Sequence, residues 1–429
     1  MPFPASALLS TAILFMATPS LAHMGDDQFG SGETAGSPPQ RIYEPVGPFS
    51  WGERNTDFAP AFDGQFRAQI EASRQGFDVR VLADGLNHPW GVAVLPDGNG
   101  YLVTEQSGHL HHLTEDGRLS APIEGVAEVV FVEQGGLLDV AIGPDFAQDR
   151  MIYFTYSKPM GEGPGGSMLN ATAAARGVLS QDLSALSDVE DIFVQDPPSE
   201  SPMHYGSRIV FDGAGHAFIT TGEHFTMEER DYAQDLDKTY GKVIRVNLDG
   251  TIPEDNPFVD DPNAAGEIWS LGHRNIQGAA VDSDGTLWAI EHGPKGGDEL
   301  NRPEPGKNYG WPFVSYGLQY DGQVVGIGEA SREGFEQPVY FWDPVIAPGG
   351  MDFHSGETFS EWNGDLLIGS YIRKGVVRLI IGDDGLVQGE ERFLSELGRV
   401  QDVEVLDDGS FLLLTDKENG EVIHVTPAN

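Results

Sequence analysis

One unit recurs along this chain: a short run of apolar and β-branched residues, a tight turn built on Asp-Gly or Asn-Gly, and a second such run. It is written as VAVLPDGNGYLVTE at 92–105, IVFDGAGHAFITTGE at 209–223, AAVDSDGTLWAIEHG at 279–293, EWNGDLLIGS at 361–370 and VEVLDDGSFLLLTD at 403–416, with a degenerate copy, LLDVAIGPDFAQDRMIYFTYS, at 137–157. Each copy reads as a β-hairpin, because the turn residues tolerate positive φ and the flanking residues suit a pleated, buried surface. Six copies over about 350 residues give a period near sixty, longer than a WD-type blade and with room for long loops at one end of each unit. The predicted fold is all-β, a six-bladed β-propeller. No βαβ alternation is present, and no G-x-G-x-x-G opens a helix after a strand, which argues against a nicotinamide-binding doubly wound domain.

Ahead of the repeats, residues 1–22 have the form of a signal peptide, with an apolar stretch from Ala5 to Met16 and the small-residue pattern Ser20-Leu21-Ala22. Its first residues carry no Lys or Arg, so the terminal amine is the only positive charge there. The expected location is periplasmic or secreted. Residues 23–76 are polar and loop-like, with GSGETAGSPP inside, and are expected to form an N-terminal extension, partly disordered, to which no chemistry is assigned. The propeller is expected over 77–429. No later segment has the eighteen consecutive apolar residues of a membrane helix, so no membrane span is expected. The chain has no cysteine, which removes disulfides and thiolate metal sites from consideration. Sixty-seven acidic residues against twenty-five basic ones give a net charge of −42, which argues against nucleic acid or anionic membrane surfaces as partners. An acidic surface of this kind is suited to solvation, or to docking a cationic electron carrier such as a basic cytochrome.

The densest chemistry lies in GHRNIQGAA, EHGPKGGDELN and GKNYGWP, between Gly272 and Pro312, where charged side chains alternate with glycines and prolines that expose backbone. Arg274-Asn275 places a guanidinium fork beside an amide, able to hold a planar anion or a quinone oxygen, or simply an ion pair between blades. Gly293-Pro294 leaves two carbonyls on a rigid turn, and Glu299 and Tyr309 add oxygen donors, the ligand type that calcium accepts. His204, in PMHYGSRIVFD, precedes a glycine and a strand, where an imidazole can act as a base. Gln134, in VEQGGLLDVA, can present its amide to a ligand that approaches the backbone closely. Arg373-Lys374 and Arg399 add positive charge from two further blades of an acidic chain, consistent with a shared anionic ligand or with surface pairing.

Together GHRNIQG, EHGPKGGDELN, KNYGWP, QGGLLDVAIGPDF, HYGSR and YGKVIRVNLDGTIPEDNPF resemble the motifs of the glucose/sorbosone dehydrogenase family, soluble quinoproteins that carry pyrroloquinoline quinone (PQQ). The resemblance covers about 78–426, in the family's order. It implies a propeller with quinone and Ca2+ at one end of the axis, oxidising the anomeric carbon of an aldose sugar to a lactone and passing electrons to an external acceptor. By motif it makes His204 the general base, taking the anomeric proton as hydride leaves for the quinone. Arg274 would stabilise charge on the quinone oxygen, and Gln134, Arg274 and Asn275 would contact the quinone. Gly293 and Pro294 would hold the catalytic calcium, with Glu299 and Tyr309 near calcium, and Arg373 and Arg399 would hold the cofactor carboxylates. Two positions depart from the pattern. Met203 stands where the glucose-specific branch has an acidic residue, which points to the broad aldose branch. Gln401 stands where a second arginine is usual, which predicts a less firmly held cofactor. Two rivals remain open at this stage, a calcium-dependent propeller lactonase and a binding propeller without cofactor.

Overall fold

The computed structural model describes residues 40–428. Six sheets follow one another along the chain, one for each predicted hairpin. The first blade has three strands, Pro89–Val94, Tyr101–Glu105 and His109–Leu113. The second is built from Leu137–Ile142, Met151–Glu162, Met168–Leu179 and Leu186–Val194. Gly206–Phe211, His216–Thr221, Lys242–Asn247 and Ile268–Leu271 make the third, and Ile276–Val281, Leu287–Glu291, Asp298–Asn301 and Tyr340–Trp342 the fourth. The fifth runs Pro348–Phe353, Leu366–Ser370, Val376–Ile381 and Val387–Phe393. Val400–Val405, Phe411–Thr415 and Gly420–Pro427 begin the sixth. The opening strands of successive blades touch one another in a closed cycle, which places them around a common axis.

Blades packed face to face bury both sides of their second strands, so the alternation of a half-exposed sheet is lost there. Every residue of Phe411–Thr415, Leu366–Ser370 and Leu287–Glu291 is buried. Between the first and second blades, Leu102, Leu110, Val140 and Phe154 interlock with Ala173 and Ala175. Full burial of each large side chain there stabilises the fold by roughly 1.5–3 kcal/mol. The turns carry the geometry that their composition predicts. Gly409 in the sixth blade has φ 86°, and a Cβ there would meet the Thr358 carbonyl at 2.3 Å, so no other residue fits.

The ring closes by joining the two ends of the propeller. Gly420–Pro427 lies between Phe411–Thr415 and Phe77–Leu86, with Val425 opposite Val79 and Pro427 opposite Phe77. Deleting residues 420–429 is therefore expected to uncover the buried Val79 and Val81 and abolish cooperative unfolding. A deletion variant that melts like the full chain would show that closure contributes nothing.

The outer half of the second blade, Met168–Leu179 and Leu186–Val194, lies outside the hairpin units that the sequence displays. Its run NATAAARG hides the strand, because alanine is a poor strand former by propensity. Tight packing selects alanine here, since Ala171, Ala173, Ala174 and Ala175 are wholly buried. Within the expected extension, Gln40–Tyr43 adds an edge strand to the sixth blade and Gln69–Ile70 one to the fifth. The backbone N–H groups of Asn55 and Thr56 both donate to Asp343 at 2.9 Å, fixing this segment against the fourth blade. The proposed leader, and the extension before residue 40, lie outside the described residues. Among the described residues no helix is long and apolar enough to cross a membrane.

Candidate functional site

Loops from all six blades converge on one cavity of about 950 Å3, at the upper end of the size range of small-molecule sites. Gln134, Asn275, Gly293, Pro294, Arg373 and Arg399, six of the positions singled out from sequence, line it. His204 and Arg274 do not line it themselves, at 4% and 3% exposure, but each is bonded to residues that do. The His204 backbone N–H donates to Gln134 Oε1 at 2.8 Å, and Arg274 donates to the Gly293 carbonyl at 3.2 Å.

His204 is held by an unusual stretch of backbone. Its φ is 48°, and Gly222 crosses so closely that a Cβ there would lie 1.9 Å from the His204 carbonyl oxygen. Gly222→Ala is expected to destabilise the fold by about 1–3 kcal/mol and to displace the imidazole; a denaturant unfolding curve superimposing on wild type would contradict this packing. The ring lies 4.8 Å from the Phe225 ring, and its Nδ1 is 3.1 Å from Glu223 Oε1. Burial, and after it the charge of Arg274, pushes the imidazole well below its ordinary pKa, so the ring is neutral near pH 7. Burial also raises the Glu223 carboxyl to about 7, against the pull of Arg274 and a bond from the Phe225 N–H. An ionised Glu223 takes the proton of Nδ1 as a hydrogen bond and leaves the lone pair on Nε2.

The His-Arg-Asn triplet is anchored by a carboxylate that sequence reading passed over. Glu291 accepts from His273 Nδ1 at 3.0 Å and from the Asn275 N–H at 3.4 Å, and the Arg274 N–H also donates to it. Arg274 turns its guanidinium onto the His292 carbonyl at 2.8 Å as well as that of Gly293. The Gly293 oxygen keeps a second lone pair for a cation. Asn275 Oδ1 accepts from the Gly206 N–H at 3.0 Å, which leaves its amide nitrogen free to donate. Asp298 fastens the Gly293 turn, accepting from the N–H groups of Gly293, Ile346 and Ala347 at 2.7–2.8 Å.

Glu299 and Tyr309 are not brought to the cavity. They line a separate space of about 10 Å3 that shares His292, Gly293 and Pro294 with it, room for roughly a single water-sized body. The Tyr309 hydroxyl is turned to the Arg302 carbonyl, and its ring stacks 4.7 Å from His273. Burial, and then the facing Glu291 and Asp298 carboxylates, raises the Glu299 carboxyl well above its usual range. A cation beside it would relieve that cost.

The cavity lining also carries hydrogen-bond donors left without partners. Arg373 Nε, Gln401 Nε2 and the Tyr205 hydroxyl are buried, line the cavity and have no partner within the protein. Tyr371 donates to Gln401 Oε1, so the amide nitrogen is the group left over. Arg399 lies 4.3 Å over the Tyr371 ring and is paired with Asp416, whose other oxygen is 2.7 Å from His88 Nδ1. Lys374 does not line the cavity. Unpaired cationic and amide donors facing a shared space suit a ligand rich in anionic acceptors, and the two carbonyls of Gly293 and Pro294 suit a hard cation. The residues present therefore fit a polycarboxylate quinone with calcium.

Residues 86–424 match the model of the family described as Glucose / Sorbosone dehydrogenase. The chain belongs to this family. It is similar to the aldose sugar dehydrogenase YliI of Escherichia coli K12, 43% identical over 82% of this chain and 93% of the relative. The crystal structure of the soluble aldose sugar dehydrogenase of Escherichia coli in the apo form superposes with a TM-score of 0.77 at 42% identity, covering 82% of this chain and all of that one. The PQQ-bound aldose sugar dehydrogenase of Streptomyces coelicolor gives 0.65 at 26% identity, over 81% and 98%. The expected six-bladed propeller and the family resemblance both hold, and this member of the glucose/sorbosone dehydrogenase family is a sugar dehydrogenase, an oxidoreductase. Sequence reading of this dehydrogenase missed Glu223 and Glu291, and it marked Asp298 only as an oxygen donor, whereas Asp298 is taken up by the backbone N–H groups of the Gly293 turn. Glu223 and Glu291 end the strand-plus-glycine or hairpin units that were recognised, and only their position at the axial ends of those strands marks them.

Proposed function

We propose that the protein oxidises aldose sugars at the anomeric carbon to the lactone with PQQ and calcium, passing electrons to an external acceptor. The observation that carries this reading is the pairing of a carboxylate-oriented neutral imidazole, one hydrogen bond behind the cavity lining, with unpartnered cationic and amide donors in that lining. A sugar hydroxyl needs the first, and an anionic planar acceptor needs the second.

When bound, the quinone supplies a two-electron acceptor and the calcium a Lewis acid. Arg373, Arg399, Gln401, Gln134 and Asn275 would hold the quinone, and the Gly293 and Pro294 carbonyls the cation. His204 takes the proton of the anomeric hydroxyl at Nε2, the atom left bare by the Nδ1 bond to Glu223. Arg274, fixed on two carbonyls, supplies positive charge where negative charge accumulates. Phe131, Tyr320 and Ile372 line the cavity and are 45%, 61% and 55% exposed, giving the sugar apolar faces to lie against.

A lactone hydrolase would instead need free carboxylates converging on a cation. Asp298 is spent on three backbone N–H groups and Asp416 on Arg399 and His88, which leaves Glu133 as a lone carboxylate in the lining with none to converge with it, so the cavity favours the dehydrogenase. Dye reduction by the chelator-treated protein with glucose and other aldoses is expected only after both PQQ and calcium are added. No reduction, with no quinone binding in a spectroscopic titration, would overturn the reading. Gln401→Arg is expected to tighten quinone binding about tenfold, since a charge-assisted bond is worth roughly 1–2 kcal/mol more than a neutral one; the same titration measures it.

The leader supports export to the periplasm or the exterior, and sequencing the N-terminus of protein recovered outside the cytoplasm tests this. A net charge of −42 favours a cationic acceptor, such as a basic cytochrome. Electron transfer to it should then slow as salt rises, and a rate indifferent to salt would exclude charge-guided docking.

A further inference from the structure

The outermost strand of the first blade, His109–Leu113, carries a cluster of side chains that the cavity does not use. His109 and His111 are two residues apart on this strand and so share a face. Glu105, the last residue of Tyr101–Glu105, pairs directly with His109 across the hairpin and joins them. Glu105 and His111 are each 7% exposed, whereas His109 is open to solvent.

The hydrogen bonds around the cluster aim two ring nitrogens and one carboxylate oxygen at one point. His111 Nδ1 is 3.0 Å from the Ser120 carbonyl, an acceptor only, so the proton of the neutral ring is on Nδ1 and Nε2 is bare. That bare nitrogen faces Glu105 Oε2 at 3.8 Å, too far for a hydrogen bond. Glu105 Oε1 is occupied by the Asn87 N–H at 2.9 Å, which turns Oε2 toward the histidines. His109 Nδ1 donates to the same Oε2 at 3.1 Å, a proton that a bound cation would displace, and the three atoms are all within 4.8 Å of one another. Tetrahedral bonds of about 2.0–2.1 Å place ligand atoms about 3.3 Å apart, so only small rotations are needed to close on an ion. Ser107 Oγ, 3.0 Å from Glu105 Oε2 and 3.2 Å from His109 Nδ1, can bond a water in the fourth position. A carbonyl on the far nitrogen of one ligating histidine and a backbone N–H on the far oxygen of the carboxylate are the outer supports that such ligands have.

We propose that Glu105, His109 and His111 form a site for one dication of the zinc class, distinct from the cavity that the quinone and calcium fit. Two imidazoles and one carboxylate favour zinc, copper or nickel over calcium or magnesium, which prefer all-oxygen shells. Among the described residues the first blade has three strands where the other five have four or five, and the ion would clip its outermost strand to the next. The clip would sit one residue from Gln106, which lines the cavity.

The test is a calorimetric titration of the full, chelator-treated protein with Zn2+ in excess calcium, which occupies the acidic surface and the hard-cation site. One tight Zn2+ per chain is expected, weakened at least about tenfold in His109→Gln. Because His109 is exposed, that variant is expected to fold as wild type, checked by its melting curve. Co2+ should give the intense visible band of a four-coordinate centre in wild type and lose it in His109→Gln. Absence of stoichiometric Zn2+ binding, binding unchanged by His109→Gln, or only the weak band of hydrated six-coordinate Co2+ would each overturn the site. None of these readouts depends on sugar oxidation, so failure of this site and failure of the dehydrogenase reading are separable.

Discussion

His204→Gln is expected to lower kcat by roughly two to four orders of magnitude, the usual contribution of a positioned general base, while quinone affinity stays as in wild type. Glutamine keeps polar atoms and similar bulk at this position but has no nitrogen that accepts a proton at neutral pH. The contact that links this residue to the cavity wall survives, since it is the backbone N–H of residue 204 that donates to Gln134. Steady-state dye reduction and a quinone titration on the same preparation separate the two effects. Turnover near wild type would remove His204 from the chemistry, and equal losses of quinone binding and turnover would make its role structural.

Glu223→Gln should cost about a hundredfold in kcat and, more tellingly, change the shape of the pH profile. With its carboxyl raised to about 7, Glu223 is ionised above that pH and accepts the Nδ1 proton of His204. Below it the protonated carboxyl donates to Nδ1, the imidazole carries its proton on Nε2, and the base is lost. The wild-type rate is therefore expected to fall as pH drops through about 7. The glutamine variant has no such group to titrate and should show a flat response over the same interval. An acid limb retained in Glu223→Gln would assign the titration to another group.

The hairpins were legible because their determinants are local: an Asp-Gly or Asn-Gly turn and its flanking apolar runs declare themselves within about fifteen residues. The outer strands of the second blade were not, because the buried alanines 171, 173, 174 and 175 answer to the neighbouring blades rather than to strand propensity. The site divides in the same way. Gly293-Pro294 and Arg274-Asn275 announce their chemistry through residue type, and the cavity uses three of them directly and Arg274 from behind. Glu223 acquires its function from a neighbour nineteen positions away, and its sequence context, a glycine and a glutamate after a strand, is ordinary. Arg399 shows the converse. Its charge is plain in the sequence, but Asp416 already balances part of it, so the cavity is less cationic than the count of arginines suggests.

The joining of Gly420–Pro427 to Phe77–Leu86 has a bearing on how this protein is made. The Ala428 N–H reaches the Gly76 carbonyl at 2.8 Å, so the two ends of the ring meet at hydrogen-bond distance although almost the whole chain separates them. Until Gly420–Pro427 has been made and freed, a nascent chain can only be an open arc with two unpaired edges, and those edges invite pairing with other chains. By the same logic the order of the blades has no privileged starting point. Linking the ends and recutting the chain at the exposed turn around residue 213 should give a circular permutant with the same ring, whose last act of assembly is sealed in a different blade.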